Sequence, residues 1–221
     1  MSALHIFDMD GTLLRGTSGP IEISRRLDRL EPLHELERRW GAHEITELDF
    51  ALAIRELWHD LTPELVAAVA LEAPWIEGIE AVCADIAARG ERSMLITMSP
   101  DFFANHLLSL GIDVVRASTF PPLPFRAAVD PAGIITPADK VRLAESERRV
   151  HGLARSACVA YGDSWSDLPL FAELENTIAV NADAALESIA RIAYRGEDLS
   201  DAYAHGRALL ERGEAESADR P

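Results

Sequence analysis

Residues 3–12 read Ala3-Leu4-His5-Ile6-Phe7-Asp8-Met9-Asp10-Gly11-Thr12, an apolar run that stops at two aspartates two positions apart. The composition predicts a buried strand, Ala3 to Phe7, followed by a loop, Asp8 to Thr12. In an extended segment residues two apart point the same way, so both carboxylates face the crevice above the strand end. Two like charges this close ask for a cation; the alternative is an Asx turn closed by Asp10-Gly11.

Working outward, the same punctuation recurs. A helix at about Glu77 to Arg89, stopped by Gly90, leads into a second strand, Ser93 to Thr97. A helix near Asp101 to Leu110 ends at Gly111 and precedes a strand at Asp113 to Ala117. A helix from about Ala138 to His151 precedes a strand at Ala157 to Tyr161, and a Leu168 to Leu174 helix precedes one at Thr177 to Val180. This alternation predicts an α/β fold with a doubly wound, mostly parallel sheet. One connection is too long for a simple crossover: about 60 residues separate the first strand from the Glu77 helix, where two to six are usual. They read as helical from Ile21 to Leu71, with Ile54, Leu57, Trp58 and Leu61 on one stripe and Thr62-Pro63-Glu64 opening a new helix. The expected organisation is a core of residues 1–15 and 75–212, a helical cap of residues 16–74 inserted after the first strand, and a polar, disordered tail from Gly213 to residue 221. The proline-rich stretch Ser118 to Thr136 reads as an irregular loop or hairpin.

The 221 residues are 48% apolar and 26% charged, which excludes a disordered or fibrous chain, and 21 basic against 37 acidic residues leave a net charge of −16. That charge repels nucleic acid and anionic membrane surfaces. No apolar run approaches the roughly 20 residues of a membrane helix, and no basic signal-peptide start precedes the first strand, so a cytoplasmic protein is expected. Cys83 and Cys158 lie in apolar segments without CxxC spacing and read as core residues. Among the basic residues 20 are arginine and Lys140 alone is lysine. Arginine supplies the generic surface charge, so a single compact ammonium points to chemistry that a planar fork serves badly.

Tyr161-Gly162-Asp163-Ser164-Trp165-Ser166-Asp167 again ends a strand in carboxylates, four residues apart. Hard oxygen ligands from two strand ends suit Mg²⁺; helix capping is the other role open to Asp163 and Asp167. Thr97-Met98-Ser99-Pro100 brings a hydroxyl and backbone N–H groups to a strand end, where a phosphate can bind.

Taken in order, DMDGT, TMSP, the lone lysine and GDSWSDLPLF resemble the four motifs of the haloacid dehalogenase superfamily of aspartyl phosphatases, over Leu4 to Leu170. The insertion after the first motif resembles the cap of its phosphoserine-phosphatase-like branch. The resemblance implies a Rossmann-like core, a Mg²⁺ cofactor, a small-molecule phosphate ester as substrate and a phosphoaspartyl intermediate. Asp8 would be the nucleophile, and Asp10 the acid that protonates the leaving alcohol and then the base that deprotonates water. Asp8, the Asp10 carbonyl and Asp163 would hold the metal, with Asp167 and Gly162 in support, while Thr97, Met98 and Lys140 would meet the phosphate.

Specificity would then come from the cap. Its polar and aromatic candidates are Arg15, Thr17, Ser18, Arg25, Arg26, Trp40, His43, Arg55, Trp58 and His59, with Arg15, Thr17, Ser18 and Arg55 foremost. Phosphoserine-specific members carry a cap Glu where Thr17 stands and an Arg about two residues after Arg55, so phosphoserine is not the expected substrate. Two other enzyme readings remain: a phosphotransferase or mutase using the same aspartate, and, remotely, an esterase with Ser164 of Gly162-Asp163-Ser164 as nucleophile.

Overall fold

The computed structural model describes residues 2–218. Its centre is a six-stranded parallel sheet in the order β5-β4-β1-β6-β7-β8. The strands are β1 (Leu4–Phe7), β4 (Arg92–Pro100), β5 (Val114–Ser118), β6 (Cys158–Gly162), β7 (Asn176–Val180) and β8 (Ile192–Tyr194); β2 (Asp10–Gly11) and β3 (Leu14–Arg15) form a separate two-residue ladder. The period of two along β1 divides the core. Leu4 and Ile6 join Met94, Ile96, Ala160 and Ala179 on one face, under α7 (Pro137–Val150), α8 (Leu168–Glu173) and α9 (Ala184–Glu187). Phe7 joins Leu95, Val159, Tyr161 and Ile178 on the other, under α5 (Ile79–Ala88) and α10 (Leu199–Ala218). Helices on both faces of a parallel sheet make this the expected doubly wound α/β fold.

The chain leaves β1 toward β4 and β5, then crosses to β6, β7 and β8. Strand order therefore reverses at β1, and the crevice at the carboxyl ends of β4, β1 and β6 is where an open α/β sheet binds ligands. Over this crevice lie the four helices between β3 and α5: α1 (Gly19–Arg26), α2 (Leu30–Gly41), α3 (Glu47–Leu57) and α4 (Pro63–Glu72). Ser18, Thr46 and Thr62 cap α1, α3 and α4 by accepting from backbone N–H groups. Ile54, Trp58 and Leu61 are buried, and the Trp58 indole N–H donates to Ser24 at 2.9 Å.

Several local expectations need correction. The helix read over Asp101 to Leu110 is one α turn, α6 (Asp101–Ala104), continued as a 3₁₀ helix to Leu110. Of the two readings for Ser118 to Thr136 the irregular loop holds, with one 3₁₀ turn at Pro131–Gly133. The segment from Gly213, expected to be disordered, carries the α10 backbone helix through Ala218, in keeping with the helix propensity of Glu and Ala. The rest of that tail, residues 219–221, lies outside the described residues. Cys83 and Cys158 are free and buried, and among the described residues no helix is long and apolar enough to cross a membrane.

Candidate active site

Asp8 follows the last residue of β1, and its backbone N–H donates to the Tyr161 carbonyl of β6 at 2.9 Å. That ladder contact fixes the turn out of the strand and aims the carboxylate into the crevice. Lys140 reaches it from the first turn of α7, which Thr136 and Asp139 open as a reciprocal capping box. Its ammonium donates to Asp8 Oδ1 at 2.6 Å, Asp167 Oδ1 at 2.6 Å and Ser166 Oγ at 3.1 Å. All three ammonium protons are used, with the side chain 1% exposed.

Burial pushes the Asp8 carboxyl well above its usual range, with Lys140 opposing. The two acidic partners outweigh burial at Lys140, which is held above its ordinary value and stays charged. Asp10 is fixed at both oxygens: the Gly19 N–H donates to Oδ1 at 2.7 Å and the Thr97 hydroxyl to Oδ2 at 3.0 Å. Burial nevertheless raises its pKa.

After β6, Asp163 sits opposite Gly11. A Cβ at Gly11 would lie 2.0 Å from Asp163 Oδ2, and φ there is +80°, so glycine alone permits the approach. A Cβ at Gly162 would lie 2.4 Å from Asp167 Oδ2, which in turn accepts the Asp163 N–H at 3.1 Å. Asp8, Asp163 and Asp167 each bring a carboxylate oxygen within 4.8 Å of the others. Burial, then the Asp167 charge, push the Asp163 carboxyl up to about 7, and its Oδ1 is buried with no hydrogen-bond partner. An orphaned oxygen within an all-carboxylate cluster is the donor set of a hard divalent cation, so these residues fit Mg²⁺.

Asp8, Asp10 and Lys140 line a cavity of about 160 Å³, room for on the order of ten waters. Of the other sequence candidates, Met98, Ser18, Trp40 and Ser164 line it too. Thr97 is fully buried, and its hydroxyl, expected on a phosphate, is spent on Asp10 and on accepting the Ser99 N–H at 3.0 Å. Ser99, two residues on, takes the place on the cavity wall. The foremost specificity candidates largely turn away. Arg15 pairs with Glu197 at 2.5 Å, the Thr17 hydroxyl donates to Glu22 at 2.5 Å, and Arg55 pairs with Glu56 and donates to the Ala127 carbonyl at 2.9 Å. In their place the insertion presents Glu37, Glu47 and Phe50, which the sequence reading passed over. The available signal was spacing: Glu37 and Trp40, and Glu47 and Phe50, stand three apart on α2 and α3 and so share a face. Among the described residues no histidine lines the cavity, which leaves Ser164 without the base an esterase requires.

A sequence profile of the haloacid dehalogenase-like hydrolases matches residues 6–172, and the chain belongs to that family. No curated protein matches it significantly. Among solved structures, a HAD family hydrolase from Salmonella enterica serovar Typhi superposes with a TM-score of 0.79 at 20% identity, over 90% of this chain and 70% of that one. A substrate-bound phosphoserine phosphatase gives 0.75 at 21% identity, over 93% of this chain and 98% of the other. A probable phosphoserine phosphatase from Vibrio cholerae gives 0.75 at 17% identity, over 98% and 67%. These likenesses establish a shared fold.

Proposed function

We propose that the protein hydrolyses small phosphate monoesters through a covalent phosphate on Asp8, with Mg²⁺ held by Asp8, Asp163 and the Asp10 carbonyl and supported by Asp167. The observation that carries the reading is the state of Asp8: Lys140 holds one oxygen, the residue lines the cavity, and a second carboxyl, Asp10, stands two residues on and lines it too. The other Asp8 oxygen attacks phosphorus, the ester P–O bond breaks, and Asp10 delivers its proton to the departing alcohol oxygen. Asp10, now a carboxylate, takes a proton from water; the water oxygen attacks phosphorus, the bond to Asp8 breaks, and inorganic phosphate leaves. Lys140 orients Asp8 and offsets part of the burial that disfavours its anion, and Thr97 and the Gly19 N–H keep Asp10 from swinging away. The metal, when bound, supplies the positive charge that lets an anionic nucleophile meet an anionic ester. The helices of residues 16–74 act as the cap over this chemistry, in a protein of the cytoplasm.

Purified protein should release p-nitrophenol from p-nitrophenyl phosphate with Mg²⁺ and lose at least about a hundredfold of that rate in EDTA. Release indifferent to EDTA would remove the metal from the reading, and silence on every phosphomonoester would remove the phosphatase. Transfer to an added alcohol in preference to water would make the same residues those of a phosphotransferase.

Metal and stability are linked through Asp163. Its folded pKa, about 7, lies above the unfolded value near 3.8, so the folded state holds the proton more tightly and loses stability as pH rises through that interval. Between about pH 6 and pH 8 the metal-free protein should lose about 1 kcal/mol, a few degrees in Tm, and Mg²⁺ should flatten the dependence. Equal melting temperatures for wild type and Asp163→Asn at both pH values in EDTA would contradict this.

A further inference from the structure

Away from Lys140 the cavity wall is mostly apolar, with Ala51, Ile54, Ile134 and Ile135 among its residues, and it carries carboxylates and aromatic rings from the insertion. Glu37 and Trp40 from α2 and Glu47 and Phe50 from α3 all line it. The Trp40 ring centroid is 5.3 Å from that of Phe50 and 5.2 Å from that of Trp165, which extends the same wall from the loop after β6. Burial raises the Glu37 carboxyl, the charge of Asp10 adds to it, and only His34 opposes. Among the described residues no arginine lines the cavity, and Lys140 is the one cation on its wall. That lysine is already committed to Asp8 and Asp167.

A ligand in this space meets one cation at the phosphate end, and two acids with the rings of Trp40, Phe50 and Trp165 along the wall of the insertion and the loop after β6. An anionic leaving group, such as one bearing a carboxylate, would find repulsion there and no guanidinium to receive it. A neutral one would leave the acids unmatched. An organic cation satisfies both features at once, since carboxylates pair with it and aromatic faces attract it through their quadrupoles.

We infer that the substrate is a phosphate monoester whose alcohol carries an amine or quaternary ammonium and no carboxylate. Its phosphate sits at Asp8 and Lys140, and its cation sits between Glu37, Glu47 and the rings of Trp40, Phe50 and Trp165. This assignment rests on the phosphatase reading above and narrows it.

The test is kcat/KM of the Mg²⁺-loaded protein on phosphoethanolamine, phosphocholine, propyl phosphate, O-phosphoserine and p-nitrophenyl phosphate. At least one of the two cationic esters should exceed propyl phosphate by about tenfold or more, and O-phosphoserine should fall below that ester. Glu37→Gln and Glu47→Gln should each draw the ratio of cationic to propyl ester toward unity, mainly through KM. Propyl phosphate turned over as well as both cationic esters, or a ratio unmoved in both variants, overturns the inference and leaves the phosphatase standing. Failure to hydrolyse any of the five esters overturns both.

Discussion

Asp8→Asn should abolish turnover, by about four orders of magnitude or more, in a protein that still folds. The amide keeps the shape of the carboxylate but has no anionic oxygen to attack phosphorus. The fold has little reason to suffer. Asp8 is buried at a cost to its charged form, and Lys140 keeps its second partner, Asp167, at 2.6 Å. Phosphate release and a thermal melt, run on the same preparation, separate the two effects. Wild-type turnover in Asp8→Asn would eliminate the aspartyl phosphate, whereas an unfolded variant would show that Asp8 serves the scaffold.

Lys140→Arg should cost about a hundredfold or more in kcat/KM although the charge is kept. The three acceptors around Nζ converge on one point, and the 1% exposure of the side chain leaves no space for a planar fork to find another arrangement. Lys140→Met removes the charge altogether and strands two buried carboxylates, for which about 3–5 kcal/mol of stability should be lost. Added Mg²⁺ should return part of that loss in a melting experiment, because a cation at the cluster would take over the neutralisation. Undiminished kcat/KM in the arginine variant would mean that the single lysine is an accident of composition.

The parts of this molecule that are legible in the chain are those where local chemistry and topology coincide. Asp8, Asp10 and Asp163 follow strand ends, where short apolar runs end in aspartates, and Lys140 stands out because no other lysine dilutes it. The edge of the sheet is fainter. β8 is three residues, Ile-Ala-Tyr, only partly buried, and α10 alternates too weakly to announce a packed face, although Tyr203, Leu209 and Leu210 are buried along it. The insertion is fainter still. Its helices can be placed from caps and stripes, but periodicity says which face is apolar and not what that face covers. Arg55 and Phe50 lie on the same helix, yet one stacks over Phe125 at 5.9 Å outside the cavity and the other lines it. Thr97 shows the same limit at the scale of one residue. The strand end is legible, whereas the hydrogen bond that commits its hydroxyl to Asp10 depends on a contact 87 positions away.

The burial of the one lysine has a practical side. Reagents that acylate amines have a single side-chain target in this protein, and in the folded state it is enclosed by two carboxylates and a serine hydroxyl. No other side chain of the sequence carries a primary amine. Modification at Lys140 would therefore count molecules in which the crevice has opened or α7 has come away, and mass spectrometry of the peptide that carries Lys140 would read that fraction, without any engineered probe.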